Sequence, residues 1–161
     1  MERSSSYFLG FGKFAGKTPE QLMFSSEGYG YLQWLKKNHH GENGLFQRIN
    51  EVLEQGENPP VVKRCQCGNP VKWISYAGDP ISGYIFGEFF CCDSCIFSTE
   101  KIQFVAVKFS SLRYFYLKNN QKTFLKWLKY CLFGDSKTRI TAKKALNFFH
   151  ICVNQPSVFR A

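Results

Sequence analysis

Two short cysteine turns constrain this chain more than any other feature. Cys65-Gln66-Cys67-Gly68 and Cys92-Asp93-Ser94-Cys95 each offer two thiols within one turn, and 25 positions separate Cys67 from Cys92. Zinc takes four soft ligands in tetrahedral geometry, and two chelating turns at this separation supply them. Gly68 lets the backbone bend toward the metal and offer N–H groups to thiolate sulfur. The chain has 7 cysteines, an odd number, and nothing in it points to export. A disulfide framework is therefore disfavoured, and a reducing intracellular compartment is expected. Cys91 and Cys92 are neighbours on an extended run, so only one can face the metal. Cys92 gives the familiar C-x-x-C with Cys95. The predicted set is Cys65, Cys67, Cys92 and Cys95 around one structural Zn2+, with Cys91 the alternative third ligand. Cys131 and Cys152 sit on helical apolar faces and read as core.

Between the cysteine turns, residues 71–76 and 84–90 read as strands joined through Gly78-Asp79-Pro80, which makes a zinc-bound antiparallel β-ribbon. Aromatic residues reach 17 % of the chain. They must either fill a small core or form stacking surfaces. Trp73, Tyr76, Tyr84 and Phe86 are the ribbon's candidates for stacking unpaired bases, with Lys63, Arg64 and Lys72 at the phosphates.

The flanks read as helical. Gly56-Glu57-Asn58-Pro59-Pro60 breaks the chain after a first part, 1–57. There, Thr18 reads as the N-cap of a helix with Pro19 at its first position and Gln21 at its third. Trp34 and Leu35 follow at helical spacing and read as core. Gly10 to Leu22 carries a Gly-Lys-Thr, but a P-loop needs four residues between its first glycine and that triplet. Gly12 leaves three and Gly10 leaves five, so nucleotide hydrolysis is not expected. Lys13 and Lys17 flank a glycine turn and are candidate phosphate contacts.

Charge singles out the last third. Residues 108–161 hold eleven Lys and Arg against one acid, Asp135, in a chain whose net charge is +9. Such a segment suits an anionic polymer. A helix predicted over 123–133 turns Lys122, Lys126 and Lys129 along one side. Asp135 or Ser136 is expected to cap the next, which brings Lys137, Arg139, Lys143 and Lys144 near its beginning. No apolar run approaches the roughly 20 residues of a membrane helix, and no membrane partner is expected.

Two stretches resemble known families. FGKFAGKT followed by YGYLQWLKK, within residues 8–37, resembles the small C-terminal domain of exodeoxyribonuclease X and its relatives. That resemblance implies a hairpin-plus-helix module and an association with DNA-processing proteins, without the exonuclease's acidic site. CQCG, GEFFCC and CIF, within residues 63–98, resemble the GRF zinc finger, a single-strand DNA-binding module. Glu88 stands where that family carries an arginine, and a carboxylate repels phosphate.

The expected fold is α+β: a hairpin-plus-helix module over 1–57, a zinc-bound antiparallel ribbon over 61–107, and a basic helical segment over 108–161 packed on the ribbon. The expected function is non-enzymatic nucleic-acid binding, single-stranded or processed DNA before RNA, as an accessory subunit of a larger protein complex. The alternative is an assembly subunit of a larger particle, a virion included. A nuclease would need clustered carboxylates for Mg2+. Asp79, Glu88, Asp93 and Glu100 show no such spacing, and His39-His40 reads as an exposed turn.

Overall fold

The computed structural model describes residues 7–39, 43–98 and 101–154, with the side chains of 98 and 151–154 outside that description. Its described elements are helices and a three-stranded antiparallel sheet, the expected α+β class. They divide into two compact units, Met1–Glu57 with Ile140–Ala161, and Asn58–Arg139. The division falls after Glu57 and after Arg139, so the segment over 108–161 is shared between the two units. Its second helix packs within the first unit, where Phe24 lies 5.7 Å from Phe148 and 6.1 Å from Phe149.

The first unit holds α1 (Pro19–Leu22), α2 (Ser26–Asn38), α3 (Gly44–Gln55) and α5 (Ala142–Asn154). Residues 9–17 form a loop closed by two backbone bonds, Leu9 N–H to Lys17 O and Gly16 N–H to Leu9 O, at 2.9 and 2.8 Å. The capping box falls where the sequence puts it. The Thr18 hydroxyl accepts from Gln21 N–H at 3.2 Å, and the Gln21 side chain accepts from Thr18 N–H at 3.4 Å. Asp135 instead accepts from Lys137 N–H in a local turn, and Thr141 caps α5 by accepting from Lys144 N–H. The helix expected to start after Asp135 or Ser136 therefore starts at Ala142. Leu35 is buried as expected. Trp34 is 50 % exposed, a correction, because it lies flat on Tyr31 at the unit's surface rather than inside it.

Glu20 is buried in this unit at 1 % exposure and is held by Arg48 of α3 at 2.6 Å. The second carboxylate oxygen has no partner among the described residues, so the guanidinium is what makes burial of this charge tolerable. Arg48→Met is expected to cost about 3–5 kcal/mol, because it leaves an uncompensated buried charge. Urea unfolding of both proteins measures it, and an unchanged midpoint would contradict the assignment.

The second unit is built on β1 (Trp73–Asp79), β2 (Gly83–Cys91) and β3 (Gln103–Ala106), in the order β2-β1-β3. β1 and β2 are the predicted ribbon, and β3 adds an edge that the sequence reading lacked. Asp79 makes the turn by accepting from the N–H groups of Ile81 and Ser82 and from the Ser82 hydroxyl. Register shifts between Ile74 and Tyr76, and the Ser75 hydroxyl takes up the slack by accepting from Phe89 N–H at 2.9 Å. Within that irregular stretch Gly87 has φ +87°, and a Cβ there would stand 2.8 Å from the Trp127 ring. The position therefore needs glycine both for its backbone and for the indole packed on it.

Trp127 belongs to α4 (Lys118–Phe133), which starts more than one turn before the predicted Thr123 and ends at Gly134. Phe124, Leu125, Leu128, Cys131 and Leu132 are buried and form its inner face. The sheet meets them with an aromatic layer in which Phe86 lies 5.0 Å from Phe115 and 5.9 Å from Phe124. Tyr76 and Tyr84 lie 5.7 and 5.1 Å from Phe115 in the same layer.

Candidate metal centre

The first cysteine turn precedes β1 and the second follows β2, so the antiparallel pairing of the two strands brings them together. Cys65 N–H donates to Asn69 O at 2.8 Å, and Gly68 N–H donates to Cys65 O at 2.9 Å, which folds the first turn tightly. Gly68 has φ +89°, the conformation expected for it. Lys72 N–H donates to Cys91 O at 2.9 Å, and this bond aligns the start of β1 with the end of β2.

The result is a cluster of Cys65, Cys67, Cys92 and Cys95 whose sulfurs all lie within 4.8 Å of one another. Cys67 Sγ and Cys92 Sγ are 3.4 Å apart. Four sulfurs bound at about 2.3 Å to one zinc stand about 3.8 Å apart in a tetrahedron, so the donors have the spacing such an ion needs. The cluster can hold a metal ion. Cys91 stays out of it. Its place opposite Trp73 turns it away, and burial pushes its thiol up. Strand alternation thus assigns the third position to Cys92. Cys131 is buried in α4, with its thiol pushed up to about 12 by desolvation, while the side chain of Cys152 lies outside the described residues.

Cys65, Cys92 and Cys95 hold their protons unequally. Hydrogen bonds from the N–H groups of Cys67 and Cys92 pull Cys65 down. At Cys92 desolvation pushes upward but is outweighed by the N–H groups of Cys95 and Ser94 and by neighbouring thiols, so it falls to about 6. The crowded sulfurs of Cys67, Cys92 and Cys65 keep the proton on Cys95, whose thiol is pushed up to about 12. Backbone donors aimed at sulfur favour thiolate, the state a metal requires. A bound cation replaces the remaining proton.

Asp93, inside the second turn, fastens it to the ribbon. The Trp73 indole N–H donates to Asp93 Oδ1 at 2.8 Å, and Lys72 Nζ lies 3.1 Å from Asp93 Oδ2. These two contacts hold the Asp93 carboxyl below the usual carboxylate range.

The contacts at Asp93 bear on the residues expected at nucleic acid. Trp73 is half-buried and Lys72 is exposed, and both already bind Asp93. Phe86 is 3 % exposed, which removes it from the stacking set; it faces α4 because it pairs with Tyr76 on the covered side of the sheet. Tyr76 and Tyr84 are half-buried in that aromatic layer. Lys63 donates to the Tyr130 hydroxyl at 3.2 Å and lies over the Phe90 and Tyr130 rings, a packing role. Arg64 is exposed. In the first unit Lys13 pairs with Glu27 at 2.6 Å, and Lys17 is exposed. Lys122 and Lys126 are exposed on α4, and Lys129 Nζ reaches Thr138 O at 3.4 Å. Lys137 and Arg139 belong to the second unit and Lys143 and Lys144 to the first, with all four exposed.

Charge follows the cysteine cluster. Asn58–Arg139 holds twelve Lys and Arg against five Asp and Glu, whereas the first unit holds nine against seven. Among the described acids of the second unit, Asp79 and Asp135 serve turns, Asp93 serves the cysteine turn and Glu88 is exposed on β2. Glu100 and His40 lie outside the described residues; His39 is exposed and stacks on Phe46. Among the described residues no helix is long and apolar enough to cross a membrane. Comparison with protein-family models, curated proteins and solved structures finds no match.

Cys65→Ser and Cys95→Ser are each expected to lower bound zinc measured by native mass spectrometry, and to loosen amide protection across 65–95 in hydrogen exchange. Full metal retention in both variants would contradict the ligand set.

Proposed function

We propose that this chain is a non-enzymatic zinc-ribbon protein that binds nucleic acid, single-stranded or processed DNA foremost, as an accessory subunit of a larger DNA-processing or nucleoprotein complex. The observation that carries this reading is the coincidence of the four-thiol cluster and the excess charge in one unit, where Lys and Arg outnumber Asp and Glu by seven. Like charges at that density repel one another unless a polyanion neutralises them. α4 supports it further, since the helix Lys118–Phe133 contains four lysines and no Asp or Glu. A four-thiolate centre is coordinatively closed, so the zinc organises the ribbon and offers no position to a substrate. The resemblance of residues 63–98 to the GRF finger points to the same class of ligand.

The assembly reading has its own observation. Ile81, Ile85 and Phe89 of the ribbon are 97 %, 69 % and 47 % exposed, and apolar surface of this kind suits a protein neighbour. Salt separates the two. Binding of a labelled oligonucleotide should weaken steeply as salt rises, with log K falling by about 0.7 per log unit for each phosphate neutralised on a single strand. Lys122→Ala with Lys126→Ala should lower affinity for all sequences alike and reduce that slope by roughly 1.4. Tight, salt-insensitive association with a protein and none with nucleic acid would replace this reading with the assembly one.

A further inference from the structure

Residues 113–118 read Arg-Tyr-Phe-Tyr-Leu-Lys and connect a 3₁₀ turn (Phe109–Tyr114) to α4. Phe115 at the centre is 2 % exposed and sits in the aromatic layer against Tyr84, Phe86 and Phe124. On either side of it Tyr114 is 69 % and Tyr116 is 85 % exposed. The backbone is extended at Phe115 and at Leu117. In extended chain successive side chains point oppositely, so burying Phe115 sends its neighbour Tyr116 to solvent. Neither tyrosine makes a ring contact with another described residue. The segment is also held in place: Gln121 Nε2 donates to Phe115 O at 2.8 Å, and Gln121 N–H donates to Leu117 O at 3.1 Å.

Cations border the rings. Arg113 and Lys118 are exposed at the two ends, and Lys122 follows one turn along α4. Arg113 and Lys122 have no ion pair among the described residues. Two exposed aromatic rings on a hydrogen-bonded segment, with cations beside them in sequence, fit a flexible polyanion that carries flat aromatic groups.

We propose that Tyr114 and Tyr116 are the platform on which unpaired bases of a single strand stack, with Arg113, Lys118 and Lys122 at its phosphates. This rests on the nucleic-acid reading above and assigns stacking to residues other than the ribbon aromatics suggested by sequence. Duplex DNA keeps its bases stacked on one another, so the tyrosines contribute to single strands and not to duplex.

The test compares the full chain with the Tyr114→Ala/Tyr116→Ala and Tyr114→Phe/Tyr116→Phe variants on a fluorescent oligo-dT and on a duplex, by anisotropy at one salt concentration. Both positions are exposed, and zinc content with thermal unfolding verifies the fold. The alanine pair is expected to lose roughly thirtyfold or more in oligo-dT affinity with duplex affinity held within about twofold, while the phenylalanine pair keeps the wild-type value. Oligo-dT affinity unchanged in the alanine pair overturns the platform and leaves the nucleic-acid reading standing, as would happen if the rings serve a protein contact. Equal loss on oligo-dT and duplex overturns stacking as the mode. A wild-type chain that binds neither probe overturns both the platform and the reading beneath it.

Discussion

The convergence of four thiols on one point is what the Asn58–Arg139 unit depends on. Four sulfurs within 4.8 Å cannot all lose their protons without a cation among them, because thiolates at such spacing repel strongly. The backbone has nonetheless been arranged to favour the charged form at Cys65 and Cys92 through N–H groups aimed at sulfur. A site built for negative charge and then left without a cation would be a liability. With a divalent ion bound, the same donors and the Asp93 clamp to Trp73 and Lys72 become the support of a fixed centre.

From that centre the ribbon runs to the turn at Asp79, and its covered face solves the problem of the aromatic surplus. Five rings, Tyr76, Tyr84, Phe86, Phe115 and Phe124, meet in tilted and edge-on pairs with centroids 5.0 to 6.2 Å apart. Such geometry is favourable for ring quadrupoles beyond the area it buries. Two devices make room for it: the register shift beside Ser75 and the glycine under Trp127. Burying the rings there and the lysines of α4 outward leaves a unit that is apolar within and strongly cationic at its surface.

The parts of this architecture that were legible from sequence are those set by local chemistry. Cysteine spacing gave the cluster and, through the C-x-x-C with Cys95, Cys92 over Cys91, and Thr18-Pro19-Glu20-Gln21 gave a capped helix start to the residue. What escaped was tertiary. Nothing in the periodicity of residues 142–154 says that their apolar face meets Phe24 rather than the ribbon. Asp135 has the chemistry of a helix cap and spends it on a local turn, because the chain continues as a connection to Thr141. Phe86, Tyr114 and Tyr116 show the same limit: an aromatic residue beside cations reads alike whether it is core or surface. The alternation around Phe115 contained the signal for the exposed pair, but only the contacts of that ring reveal which side is covered.

X-ray absorption at the zinc edge, on the purified chain carrying the metal with which it is isolated, tests the central claim most directly. The account predicts one zinc with four sulfur neighbours at about 2.3 Å and no nitrogen or oxygen in the coordination shell. A shell containing nitrogen or oxygen, or a chain that folds its ribbon while holding no zinc, would contradict it.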